Sequence, residues 1–213
     1  MGEKTKLENF IKLAREAQSC RRCEALCERT AVLSELNGNI APRVMFIAEA
    51  PGRQGGDRTR KPFSGDKSGE NFQLLLDSIG LRREEIFITN TVLCNPRKES
   101  GANRRPTRAE MKNCSEYLEK TINLINPKII ATLGAVALEG LRLIDYHNYK
   151  LREDAASVLD WKGRLLVPLY HPSPQVIASH RPMTKQLTDF QALKKAIETA
   201  EKSHRPQNFK NKV

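Results

Sequence analysis

RVMFIAEAPGRQGGDRTRKPFSGDKSGENFQLLLDSIG, residues 43–80, decides the fold. An apolar run at 43–48 breaks into a loop of glycines and charged residues, and helical spacing then takes over at 68–79, closed by Gly80. A short unbroken apolar run reads as a strand buried on both faces, and the helix that follows it makes half of a crossover unit. The same alternation continues outward. IFITNTVL at 86–93 is a second strand, KIIATLG at 128–134 a third and RLLVPLY at 164–170 a fourth. Between them a helix opens at Pro106-Thr107, where Glu110 stands at capping-box spacing from Thr107, and runs to about residue 125. AVALEGLRLI is a short helix, and 184–202 a closing one. Upstream, Leu7, Phe10, Ile11 and Ala14 share one face of an amphipathic helix over 5–19. Strands alternating with helices imply a single-domain three-layer α/β/α sandwich around a central, mostly parallel four-stranded sheet. No repeat or low-complexity linker divides the chain. The expected domain spans 1–203, and HRPQNFKNKV at 204–213 is a polar, loose tail.

Composition narrows the partners. With 213 residues, 39% hydrophobic and 29% charged, the chain suits one ordinary globular domain. Every apolar run is too short to cross a bilayer, and the opening MGEKTKLENF is charged rather than signal-like. The expectation is a cytoplasmic protein without a membrane partner, nucleoid-associated in a prokaryote. Lys and Arg number 36 against 25 Asp and Glu, and the resulting +11 attracts polyanions, nucleic acid first.

Five cysteines are too few and too oddly placed for a disulfide framework. Cys20 and Cys23 form a CxxC pair, Cys94 ends the second strand and Cys114 lies in the following helix. Four thiolates from two distant segments could close one site holding zinc or an iron–sulfur cluster, since soft sulfur suits both. Buried free thiols are the bland alternative, and the ordinary one for Cys27.

In a parallel sheet, ligands bind beyond the carboxyl ends of the strands. The 49–63 loop, Asn90 and His171 all fall there. Gly52, Gly55 and Gly56 let backbone approach a ligand closely. Arg53, Arg58, Arg60 and Lys61 can hold phosphates, Glu49 and Asp57 are potential bases, and Phe63 is an aromatic plate. Asn90 offers one donor and one acceptor to the edge of a planar base. His171, stiffened by Pro172 and Pro174, can donate a proton or hydrogen bond. Taken singly each has an ordinary reading: a turn residue, an ion-pair partner, a core ring or a cap.

Taken together, CxxC (20–23), EAPG (49–52), GGDRTRKPFSGDKSG (55–69), TNTVLCNP (89–96 within ITNTVLCNP), PTRAEMKNC (106–114) and YHPSP (170–174) resemble the uracil-DNA glycosylase superfamily. The likeness is to its iron–sulfur members, families 4 and 5, and runs from Cys20 to about residue 195. The GGDRT…FSGDKSG stretch looks most like family 5, while EAPG is closer to family 4. The resemblance implies a monofunctional glycosylase that hydrolyses the bond between uracil and deoxyribose in DNA, with hypoxanthine a further candidate base, and leaves an abasic site for base excision repair. It implies a [4Fe–4S] cluster on Cys20, Cys23, Cys94 and Cys114, structural rather than redox-active, with Cys27 a bystander. Phe63 would stack on the base, Asn90 pair with it and Ala50 line its site. His171 would stabilise charge on O2, and Asp57 would position water, with Glu49 second choice. Arg58 and Ser173 would bind DNA, single- or double-stranded, for a monomer. NPRKESGANRRPT lacks the histidine of the covalent-trapping subgroup, so no irreversible DNA attachment is expected. Two rival classes are a non-catalytic iron–sulfur nucleic-acid-binding protein on the same fold, and a zinc protein using the loop to bind a nucleotide phosphate.

Overall fold

A computed structural model describes residues 2–202, so the expected tail at 204–213 lies outside the described residues. The elements in chain order are α1 (Glu3–Gln18), β1 (Val44–Ala48), α2 (Gly56–Thr59), α3 (Lys67–Ser78), β2 (Ile86–Asn90), α4 (Arg108–Ile125), β3 (Ile129–Leu133), α5 (Ala135–Ile144), α6 (Leu151–Asp154), β4 (Leu159–Trp161), β5 (Arg164–Leu169), α7 (Pro174–Ser179) and α8 (Met183–Lys202). The strands lie in the order β2-β1-β3-β5-β4. All neighbours pair parallel except β4, which runs antiparallel to β5.

The sheet therefore has five strands where the sequence suggested four. β4 is only three residues long, with a single polar residue between two apolar ones, too short to carry a strand pattern of its own. A two-residue turn creates it: Lys162 and Gly163 both adopt positive φ, 53° and 72°, the conformation that matches the twist of a tight hairpin. The second strand is shorter than its apolar run, since the chain leaves the sheet after Asn90 and Cys94 sits beyond the strand end.

Period-two alternation splits the sheet residues between two cores. Met45, Ile47, Phe87, Ile130 and Leu166 face α1, α4 and α5, where they meet Phe10, Leu13, Leu118, Ile122 and Leu138. Val44, Phe46, Ile86, Ile88, Val167 and Leu169 face α3 and α8, against Phe72, Leu75, Phe190 and Leu193. Both faces are covered, which makes the three-layer sandwich.

Local signals set the helix ends. Thr107 caps α4: its hydroxyl accepts from the Glu110 amide at 3.2 Å while the Glu110 carboxylate accepts from the Thr107 amide at 2.8 Å, the expected capping box. Asp66 caps α3, accepting from the Gly69 amide at 2.9 Å. Among the described residues no helix is long and apolar enough to cross a membrane.

Candidate active site

A cleft of about 290 Å³ opens at the carboxyl ends of the parallel strands and is lined by Glu49, Ala50, Phe63, Asn90, His171 and Ser173, among others. Topology assembles it. β1 and β2 are in parallel register with Ala48 beside Asn90, and the Thr91 and Val92 amides donate to Ala48 O and Glu49 O at 2.8 and 3.1 Å. Glu49 is thus held next to the end of β2. Asn90 is 3% exposed, yet its side-chain amide makes no hydrogen bond to another described residue. It lines the cleft with donor and acceptor both uncommitted, so it is available to a ligand edge.

The Phe63 ring lies at 4.6 Å from that of Phe72 and 5.4 Å from that of His171. Its backbone is left-handed, φ 50°. Two features hold it there: the Arg83 guanidinium donates to Pro62 O, and Gly69 packs so closely beneath that a Cβ would come within 2.6 Å of Phe63 O. Arg83 also lies over the Phe72 ring at 5.9 Å, and its burial lowers its pKa to about 10. α3 braces the histidine loop as well. The buried Asn71 amide donates to Pro172 O at 2.9 Å, next to His171.

His171 has no charged partner, and burial pushes its pKa down to about 4. The ring is neutral at pH 7, with an N–H to donate. Glu49 is half-buried, and burial raises its carboxyl above the usual range, opposed in part by Arg105.

Asp57 does not join them. It is absent from the cleft wall, with its carboxylate 2.5 Å from Arg97 and 3.6 Å from Arg60. Arg97 in turn donates to Asn95 Oδ1 at 2.5 Å, and Asn95 donates to Pro51 O at 2.6 Å. Of the two acids considered for the water, the structure thus places Glu49 in the cleft wall and Asp57 outside it. Asp57 anchors a polar web that ties Arg97, Arg60 and Asn95 to the EAPG loop through Pro51 O.

Sequence reasoning missed Asp66, Asn95 and Asn103, which line the cleft. Asp66 Oδ2 lies so close to the loop that a Cβ at Gly55 would fall 2.1 Å from it, so a side chain there would push the carboxylate aside. Its legible signal was an Asp three residues before Gly69 at a helix start. Ser173 lines the cleft and caps α7, its hydroxyl accepting from the Val176 amide at 3.4 Å. Arg58 is outside the cleft wall and spans its own loop, donating to Gln54 O at 2.9 Å and Gly65 O at 3.1 Å.

Cys20, Cys23, Cys94 and Cys114 surround a second cavity of about 30 Å³, and Cys27 stands outside it. The Leu93 amide reaches Cys114 Sγ at 3.4 Å and Asn113 Nδ2 reaches Cys23 Sγ at 3.5 Å, bonds that would stabilise thiolate charge. Burial pushes Cys94 up to about 11 and Cys114 up to about 12. Among the described residues no three donors converge closely enough for a single metal ion. Four soft donors spread around one apolar cavity fit a polynuclear iron–sulfur group.

The chain is similar in sequence to known proteins. The chain is 33% identical over 168 residues to the type-4 uracil-DNA glycosylase of Thermotoga maritima, covering 78% of this chain and 83% of that protein. It is 32% identical over 204 residues to the type-4 uracil-DNA glycosylase of Saccharolobus solfataricus, 90% of this chain and 88% of that one. To the type-5 uracil-DNA glycosylase of Pyrobaculum aerophilum it is 28% identical over 166 residues, covering 71% and 70%. The family model described as Uracil DNA glycosylase superfamily matches residues 37–198, a span that begins before β1 and ends inside α8 and so takes in every strand and the whole cleft. On that breadth of match, the chain belongs to the uracil DNA glycosylase superfamily.

Proposed function

We propose that the protein is a monofunctional uracil-DNA glycosylase, with residues 1–203 acting as one domain and as a monomer. The observation that carries this reading is the convergence of an unpaired buried amide, a neutral imidazole, an aromatic plate and a half-buried carboxylate on one cleft. An extruded base enters that cleft, paying the cost of unstacking from the duplex or strand. Phe63, backed by Phe72, covers one face of the ring. The Asn90 amide pairs with N3–H and O4, and Ala50 closes the wall beside it. The bond between C1′ and N1 breaks heterolytically. Its electron pair leaves with uracil, and His171 donates a hydrogen bond to O2, where the charge collects. Glu49 faces the cationic sugar and takes the proton of the water that adds to C1′. The products are free uracil and an abasic site. Ser173 and the basic loops hold the flanking backbone.

Cys20, Cys23, Cys94 and Cys114 hold a [4Fe–4S] cluster in this reading. Bound there, the cluster supplies a structural cross-link between the segment after α1 and the β2–α4 connection. Replacing Cys114 with serine is expected to strip iron, abolish the brown visible absorbance and lower the melting temperature, because it removes a ligand at the most buried corner. Iron analysis and a thermal melt read both effects. A colourless wild-type protein carrying stoichiometric zinc would overturn the cluster.

The decisive experiment for the activity is incubation with labelled oligonucleotides containing one uracil, followed by alkali. Strand cleavage at uracil is expected. Intact strands after treatment with folded, iron-loaded protein would refute the enzyme. Parallel strands carrying hypoxanthine or xanthine read the base range.

A further inference from the structure

Beside the cleft lies a larger groove, of about 730 Å³, between α5, the 149–152 segment and the end of α7. It opens next to His171. Tyr170, the preceding residue, lines it, and so does Ala135, which follows Gly134; a Cβ added at Gly134 would lie 3.5 Å from that of His171. Three exposed cations, Arg142, Lys150 and Arg152, face one carboxylate, Glu139, in the groove wall. That carboxylate is already neutralised by Arg105 at 2.7 Å.

The fold makes little use of the cations. Arg142 donates to Tyr149 O at 2.8 Å, Lys150 forms an exposed pair with Glu153 at 3.0 Å, and Arg152 has no hydrogen bond or ion pair to another described residue. Exposed pairs of this kind contribute little stability and exchange readily for another anion. Tyr149 and Tyr170 add aromatic surface to the same walls. A basic groove with aromatic rings in its walls, next to the proposed base-binding cleft, has the features that bind an unpaired nucleic-acid strand.

We propose that this groove carries the single-stranded DNA flanking the nucleotide being excised, so that the strand runs from the cleft past Tyr170 and over Arg142 and Arg152. The proposal rests on the glycosylase reading for its direction. Its binding test does not need catalysis.

The test compares the double variant Arg142→Glu with Arg152→Glu against a charge-matched control, Lys128→Glu with Lys162→Glu. Both control lysines lie at the amino end of the sheet, on a different groove. Fluorescence anisotropy is measured with a long single strand lacking uracil, over a range of salt. Excision is measured separately on a short oligonucleotide that ends just beyond its uracil. The groove variant is expected to bind the long strand at least about tenfold more weakly and to flatten the log–log salt slope by roughly 1–2, as losing two phosphate contacts requires. The control is expected to change both far less, and both variants are expected to excise the short substrate at the wild-type rate, which also certifies their folding. Arg142→Gln with Arg152→Gln is expected to give a smaller loss in the same direction. Groove and control variants that weaken the long strand equally would overturn the proposal, as would a groove variant that binds like wild type. Failure of the glycosylase reading would appear elsewhere, as wild-type protein that binds the long strand but leaves the short uracil substrate intact.

Discussion

Glu49→Gln is expected to lower the single-turnover rate of uracil excision by about 10²–10⁴, the range of a lost general base, while binding to an abasic strand persists. Asp57→Asn is expected to keep excision within about tenfold of wild type. It should instead lower stability by on the order of 2 kcal/mol, because it removes a charge-assisted partner from the part-buried Arg97. That loss corresponds to a drop of about 4–8 °C in melting temperature for a chain of this size. The contrast follows from position. Glu49 lines the cleft without an ion pair, whereas Asp57 lies outside it between Arg97 and Arg60. The pH profile supplies an independent readout. Burial raises the Glu49 pKa, so the carboxylate protonates at a higher pH than an ordinary glutamate. Excision should therefore fall as the pH drops through that raised value, and the residual activity of Glu49→Gln should lack this acid limb. An inactive Asp57→Asn beside a near-normal Glu49→Gln would restore Asp57 to the water.

The two acids also mark where sequence stops being informative. Glu49, Asn90 and His171 could be placed because each follows an apolar strand, and parallel strands deliver their carboxyl ends to one place. Phe63 could be placed only by its company, a Gly/Pro-rich loop. The partner of Asp57 could not be found this way, since Arg97 lies forty positions away in a loop with no periodic pattern. The folded backbone alone brings them to 2.5 Å. β4 was hidden for a similar reason: Leu159, Asp160 and Trp161 become a strand because Lys162-Gly163 folds them onto β5, and a three-residue run has too little alternation to announce itself. α2, α6 and α7 are four to six residues long, below the length at which helical spacing can be recognised. The four cysteines were legible as a set, and their shared cavity agrees with that grouping. Cys27 falls outside it, although only three residues separate it from Cys23.

His171→Leu is expected to reduce excision by about 10²–10³, as removal of one preorganised donor at a developing anion does. His171→Gln, which keeps an N–H at similar reach, should retain more activity than His171→Leu. A cationic imidazolium would stabilise the departing uracil anion more strongly, but here burial strips it of water and no ion pair offsets the loss. Desolvation dominates and holds the pKa to about 4. In the proposed mechanism the residue is then a neutral donor, and activity between pH 6 and 8 is expected not to follow its titration. Folding stability must respond to the same shift. An unfolded histidine takes up its proton near pH 6.5 while the folded one resists until about 4. The unfolded state then binds more protons across that interval, so the His171 contribution to stability is intact above 6.5 and is lost progressively as pH falls towards 4. Proton-detected titration of the His171 ring, with melts of wild type and His171→Gln over the same range, tests both consequences. A ring that titrates near the ordinary histidine value, with parallel stability curves for the two proteins, would overturn the lowered pKa, and activity that rises as the ring takes up its proton would overturn the neutral donor.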